Sequence, residues 1–378
     1  MDKQAKISLL QKIIQINTVN GNELALASFI KRILTKYQID SKLIKFADNR
    51  ACLVAEIGDK SGKVLAFAGH MDTVSTGKQT QWKYPPFSAT IANGNLYGRG
   101  AVDMKSGLAA MVIALIEMKQ AGLPKKGKVR LLLSVDEEVG GQGSKLLTEL
   151  GYANDVDAMI MGEASSGQLE YAHCGSFDYL VESFGKTAHS SRPNLGINAV
   201  ANLVKFADGE RTAFDDAKSS SVLGKVIHSV TVFHGGEQLN SIPNYAYLKG
   251  NVRTVPECDN RETQMRLERI INELNAKGAK LKLTVVASFA PVVTDPNDSF
   301  INLVREAASE VTGNLPQVII SPGATDASRY SLGNKKFAFV EYGPGDDTQS
   351  HQVNEHIKIA DFLMAPDVYQ RVAEKFLK

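Results

Sequence analysis

Five residues of the types that bind divalent metals stand just past the ends of apolar, strand-like runs or in adjacent turns. They are His70 in VLAFAGHMDTV, Asp103 in YGRGAVDMKSG, Glu138 in VRLLLSVDEEVGGQG, Glu163 in AMIMGEAS and His351 in QSHQVNEH. Two imidazoles and three carboxylates are a donor set for a pair of divalent ions sharing one carboxylate. Glu137 is left over beside them, placed to act as a base. The combination points to a hydrolytic site assembled from most of the chain.

Each residue also has a plainer reading. A lone histidine at a strand end is commonly a surface or capping residue. Asp72 lies two positions after His70, however, and in an extended segment both side chains project on one side. That spacing suits a ligand histidine whose second ring nitrogen is held by a carboxylate. Asp103 could cap the helix that opens at MKSGLAAM. Glu137 and Glu138 could form a solvated acidic turn, but Asp136-Glu137-Glu138 directly follows LLLSV. Like charges crowded at the end of a buried strand are costly unless a cation is present.

The elements that must position these residues follow from the pattern. ACLVAEIG, KVLAFAGH, KVRLLLSVDEE and VDAMIMGEA are short apolar runs separated by helix-like stretches such as GLAAMVIALIEMKQAG. Runs apolar on both faces, alternating with helices, predict an α/β fold with a mostly parallel central sheet. Sites in such sheets gather outside the carboxyl ends of the strands. From about Phe177 the texture changes. SFDYLVESFG, HSVTVFHGG, YAYLKGNVRTV and AKLKLTVVASF alternate like half-exposed antiparallel strands, with helical segments around Asn198–Phe206 and Arg261–Lys277. His351 lies after this block and the other candidate ligands before it. An inserted α+β domain therefore explains the order better than two tandem domains. The expected layout is a catalytic domain over 1–176 and 291–378, interrupted by an insertion over 177–290.

Composition excludes other classes. The chain has 378 residues, 43% apolar and 22% charged, with a formal net charge of +2. That charge gives no long-range pull towards nucleic acid or an anionic membrane. Three cysteines, far apart and without CxxC spacing, fit a reducing compartment. The N-terminal MDKQAKISLLQKIIQINTV reads as an amphipathic helix without the features of a signal peptide. A cytoplasmic enzyme is the expectation. Neither GxxxxGK[ST] nor GxGxxG follows a strand, which argues against a nucleotide-binding enzyme.

Taken together, GHMDTV, YGRGAVDMKSG, SVDEEVGGQGS, GKTAHSSRP, GGEQLNSIPN and the final HxxNE resemble the M20 metallopeptidase/deacylase family over nearly the whole chain. The resemblance implies a zinc-hydrolase catalytic domain with an inserted lid and dimerisation domain, hence a homodimer. It implies that His70 and Glu163 hold one zinc, that Glu138 and His351 hold the other, and that Asp103 bridges them. The same ligands accept cobalt or manganese. Asp72 would then be the partner of His70, and Glu137 the general base. His189, in the insertion, would donate to the oxyanion, in its own or a partner subunit.

The substrate implied is a small N-acyl amino acid. GAVDMKSG and HxxNE look most like the family members that cleave N-succinyl-LL-2,6-diaminopimelate to succinate and LL-2,6-diaminopimelate. Dipeptidase, acetylornithine deacetylase or aminoacylase activity is the alternative, and a metal-binding scaffold on the same fold the non-enzymatic one. Asn240, Arg253 and Arg329 are the candidate substrate contacts, an arginine fork suiting a carboxylate. One departure stands out. Known bacterial desuccinylases carry an arginine pair before the glycine that opens the lid, whereas His173 and Cys174 precede Gly175 here.

Overall fold

The computed structural model describes residues 1–59, 61–321 and 323–378. The chain opens with helices α1 (Lys3–Gln15) and α2 (Glu23–Lys36), then strands β1 (Ser41–Ala47), β2 (Arg50–Gly58) and β3 (Val64–His70). Two short strands, β4 (Thr90–Ala92) and β5 (Asn95–Tyr97), precede helix α3 (Lys105–Gln120). Next come β6 (Lys128–Ser134), α4 (Gln142–Glu149), β7 (Ala158–Met161) and β8 (Leu169–His173). The middle of the chain supplies β9 (Gly175–Phe184), α5 (Ala199–Glu210), β10 (Ile227–Gly235), β11 (Tyr245–Thr254), α6 (Asn260–Ala276) and β12 (Leu281–Phe289). The last part holds β13 (Val292–Val293), α7 (Ser299–Thr312), β14 (Val318–Ser321), α8 (Ala327–Tyr330), β15 (Ala338–Glu341), β16 (His356–Lys358) and α9 (Ile359–Phe376).

Contacts divide the chain into two compact units. The first joins Met1–Ala172 to Val293–Ser321 and Thr325–Lys378, and the second is mainly His173–Val292. The first unit is built on a nine-stranded sheet in the order β1-β2-β6-β3-β7-β15-β8-β13, with β14 beside β8. Its four central strands, β6, β3, β7 and β15, run parallel to one another. The flanks are antiparallel where β1 meets β2, β2 meets β6 and β15 meets β8. A mixed α/β fold with a sheet parallel through its centre is the result.

Burial explains the apolar runs. Every residue of β3 and β7 is buried. Helix α3 is buried on nearly all faces, as its unbroken run from Leu108 to Ile116 requires. It packs so tightly that a Cβ on Gly107 would stand 1.8 Å from the carbonyl oxygen of Gly162. Only glycine fits there, and the contact fixes the start of α3 against the residue before Glu163. Helix α1 is capped by Asp2, whose side chain accepts the N–H of Ala5, a contact typically worth about 1 kcal/mol.

The second unit is an antiparallel four-stranded sheet, β10-β11-β9-β12, with α5 and α6. Alternate residues of β9 (Phe177, Tyr179, Val181) and of β11 (Ala246, Leu248, Val252) join Leu203, Phe206, Leu267 and Ile271 of the helices in one core. The period-two pattern in the sequence is this one-sided burial.

Candidate metal centre

Parallel register puts the ends of β3, β6 and β7 side by side: His70 pairs with Ser134, and Ala68 with Met161. The candidate ligands gather just beyond those ends. His70 closes β3, Glu138 lies in a tight turn after β6, and Glu163 follows β7 by two residues. Asp103 and His351 reach them from loops. Asp103 does not cap α3, whose capping position is Met104 without a side-chain bond.

Asp103 stands at the middle of the group. Its Oδ1 is 3.1 Å from His70 Nε2, and its Oδ2 is 3.2 Å from His351 Nε2. His70 Nε2 also lies 3.4 Å from a Glu163 oxygen, and His351 Nε2 lies 3.1 Å from Glu138 Oε2. Two half-sites result, His70 with Glu163 and His351 with Glu138, each facing a different oxygen of one carboxylate. Donor atoms of His70, Asp103 and Glu138 all lie within 4.8 Å of one another. Glu138 Oε1 is buried with no hydrogen-bond partner among the described residues. A buried orphan oxygen within such a set fits a divalent cation, which would satisfy it.

The electrostatics of the bare cluster say the same. Burial pushes Glu163 up to about 8, helped by Asp103, Glu138 and Asp326 against His70. Burial likewise drives Glu137 well above the carboxylate range, with Asp326, Glu138 and Glu163 adding to it. Hydrogen bonds to Asp103 and Glu138 lift His351 to about 10. Burial would lower His70, but Glu163, Asp103, Asp72 and Glu137 outweigh it and hold it well above its ordinary value. Without cations, then, this cluster retains protons that metal ions would replace.

The Glu137 carboxylate accepts no hydrogen bond among the described residues, although its backbone N–H is held. Asp72 does the holding, with Oδ1 accepting from Glu137 N and Oδ2 from Glu138 N, each at 3.2 Å. The same carboxylate keeps an ion-pair contact with His70, as the His-x-Asp spacing suggests, but a longer one. His70 Nδ1 lies 2.9 Å from the backbone oxygen of Asp72, while the Asp72 carboxylate is 3.6 Å away. The segment turns after His70, so the carbonyl meets the ring and the carboxylate reaches the next loop.

Other residues complete the setting. Arg50 donates to Asp136 at 2.9 Å while forking onto the buried Glu23, which anchors Asp136 in its left-handed conformation, φ 71°. Asp326 accepts the hydroxyls of Ser134 and Ser144, and burial raises it to about 6. Glu355 accepts backbone N–H groups of the loop before Asp103. Asp136 apart, none of these stands out in the sequence, though Glu355 lies within the HxxNE motif and Asp326 three residues before Arg329.

The substrate candidates are distributed differently. Arg329 is buried and donates from Nη2 to Gly140 O at 2.6 Å. Its guanidinium therefore braces the loop after Glu138 rather than waiting for a ligand. His189, Asn240 and Arg253 belong to the second unit. There Asn240 O accepts the N–H of Ser190, joining the two loops. His189 is exposed, and its Nδ1 accepts from Ser191 N at 3.2 Å, with Ser191 Oγ at 2.8 Å. With Nδ1 as acceptor, the ring's N–H donor is Nε2. Arg253, on β11, is half-buried, and its guanidinium has no hydrogen-bond or ion-pair partner among the described residues.

Residues 66–375 match Peptidase family M20/M25/M40. The chain is 38% identical over 407 residues to the "Probable succinyl-diaminopimelate desuccinylase" of Staphylococcus epidermidis (strain ATCC 12228 / FDA PCI 1200), covering 100% of this chain and 99% of that one. It is similar in fold to the M20 family metallo-carboxypeptidase Sso-CP2 from Sulfolobus solfataricus, with a TM-score of 0.79 at 21% identity, covering 100% and 99% of the two chains. A TM-score of 0.73 at 19% identity relates it to the Bacillus subtilis YXEP protein, a dinuclear metal binding peptidase, over 99% and 98% of the two chains.

Proposed function

The chain belongs to Peptidase family M20/M25/M40 and is a metal-dependent hydrolase of amide bonds, and from that premise we propose a two-metal deacylase that removes the succinyl group from N-succinyl-LL-2,6-diaminopimelate. The observation that carries the two-metal part is the Asp103 carboxylate, which turns one oxygen to His70 and the other to His351. Full-length similarity to a relative named for that activity supports the substrate.

Bound at these residues, a pair of divalent ions would polarise the amide carbonyl and lower the pKa of water. The chain's own residues do the rest. Glu137, its carboxylate free, takes a proton from the attacking water and delivers it to the leaving nitrogen as the C–N bond breaks. Asp72 orients it by gripping two consecutive backbone amides. His189 supplies an N–H to the carbonyl oxygen as it becomes negative. Arg253 meets a substrate carboxylate, and Asn240 steadies the His189 loop. A homodimer in the cytoplasm belongs to the same proposal, the latter supported by three unpaired cysteines.

One observation favours a second reading, a dipeptide substrate. His173 is buried, and burial lowers it to about 4, so it stays neutral. A neutral side chain therefore stands before Gly175, where a second cation would have suited the several carboxylates of N-succinyl-diaminopimelate. A panel of N-succinyl-diaminopimelate, N-acetylornithine and dipeptides, assayed with zinc-loaded protein, separates the two. The succinyl compound should have the highest kcat/KM, and preference for a dipeptide would overturn the assignment.

A further inference from the structure

The two loops that bring Asp103 and His351 to the centre are tied by one buried ion pair. Glu355 is fully buried and accepts four N–H donors. Oε2 takes Arg99 Nη1 at 2.7 Å and Gly100 N at 3.0 Å, and Oε1 takes Val102 N at 2.7 Å and Asp103 N at 3.1 Å. The backbone of Asp103 is thus held by Glu355. Arg99 faces the other way as well. Its Nη1 donates to Gln352 O at 3.2 Å and its Nη2 to His351 O at 3.3 Å. His351 sits at φ 63°, a left-handed conformation that is strained for a non-glycine residue. Something must hold it there, and Arg99 grips its carbonyl.

The half-sites differ in this respect. His70 ends a buried strand, only 1% exposed, and Glu163 lies two residues beyond another. They need no loop to bring them together. The His351 side chain is 53% exposed on a loop that Arg99 fastens. Beside Arg99 stands Trp82, the sole tryptophan of the chain. The guanidinium carbon lies 5.2 Å from its ring centre. The indole donates to Thr76 O at 2.8 Å, and the next residue, Lys83, donates its N–H to Asn354 Oδ1 at 2.5 Å.

We propose that Arg99 and Glu355 are positioning residues that link the two half-sites, Glu355 setting the bridging Asp103 and Arg99 setting His351. The inference rests on the two-metal reading. It assigns an order of filling: the His70–Glu163 half-site is preformed, and the His351–Glu138 half-site depends on the Arg99 fork. Trp82 reports on the second event.

The test is a zinc titration of the full chain after chelation. Bound metal is followed by equilibrium dialysis and Trp82 by its fluorescence. The unaltered chain should take up two ions, with the fluorescence change accompanying the second. Arg99→Lys keeps a cation facing Glu355, but its single nitrogen cannot also serve both carbonyls. Its first ion should bind as before, while the second weakens about 10–100-fold, the usual effect of losing a partner behind a metal ligand. Glu355→Gln releases Asp103 and should weaken both ions. If circular dichroism shows that variant unfolded, Arg99→Lys alone decides. An unchanged second ion in Arg99→Lys, or equal weakening of both, overturns the proposal. One ion in the unaltered chain would instead refute the two-metal reading, before any variant is considered.

Discussion

The Asp72 carboxylate accepts the backbone N–H of Glu137 at 3.2 Å, so the residue two places after His70 grips the turn that presents the candidate base. Its second oxygen takes the next amide, that of Glu138. Asp72→Asn would turn one acceptor into a donor facing an N–H. The variant should fold, since Thr73 and its neighbours keep their backbone pairing, but lose about 10–100-fold in zinc affinity or turnover. Zinc titration and steady-state kinetics on one preparation measure both. Unchanged values in each would remove Asp72 from the site.

Glu137→Gln preserves shape while abolishing the base. General-base catalysis contributes about 10²–10⁴-fold, so turnover should fall by that factor with metal content intact. Elemental analysis beside kcat separates the outcomes. Turnover near that of the unaltered chain moves the base elsewhere, and loss of metal makes Glu137 a ligand.

Much of this site is legible in the sequence because metal chemistry admits few residue types and parallel sheets present them at strand ends. His70, Glu138 and Glu163 stand out for that reason. The sheet's edges do not. β2 is as apolar as the parallel strands at the centre of the sheet, yet it runs antiparallel to β6, since burial on both faces favours a parallel sheet without fixing the direction of each strand. The second contact of Asp72, with the turn after β6, is not in its spacing because alternation along a strand stops where the strand stops, and β3 ends at His70. Arg329 looks like a free fork because sequence does not show what a side chain already holds. Glu355 and Arg99 escape notice because they act on backbone groups, which leave no pattern of residue types.

Acidity should act on the metal-free protein in a definite direction. His351 is raised from 6.5 to about 10, first by its hydrogen bonds to Asp103 and Glu138. Glu163 is raised from 4.5 to about 8, chiefly by burial. Both folded values exceed the unfolded ones, so protonation favours the fold. That contribution is complete below the unfolded values and is lost as pH rises through the folded ones, between 4.5 and 8 for Glu163 and between 6.5 and 10 for His351. Chelated protein should therefore melt at progressively lower temperature as pH rises across that span. Zinc-loaded protein, whose ligands are already deprotonated, should not follow it. Parallel melting curves with and without chelator decide, and a flat profile in the chelated sample would contradict this balance of charges in the cluster.

His189→Ala removes an N–H donor and leaves the metal ligands untouched. Loss of one oxyanion donor costs about 10²–10³-fold in turnover, with zinc content unchanged. If the donor acts across a dimer, mixing His189→Ala chains with Glu137→Gln chains should restore part of the activity. Verified heterodimers that stay inactive would exclude action across subunits.

The proposal that the Asp103 carboxylate is shared by two metals is tested most directly by diffraction from zinc-soaked crystals at a wavelength just above the zinc absorption edge. Two anomalous peaks per chain are expected about 3.5–4 Å apart, the spacing of paired-metal hydrolases. One should lie against His70 and Glu163, the other against His351 and Glu138, each with its own Asp103 oxygen. A single peak, or two peaks that do not share Asp103, would contradict a two-metal centre built on that residue.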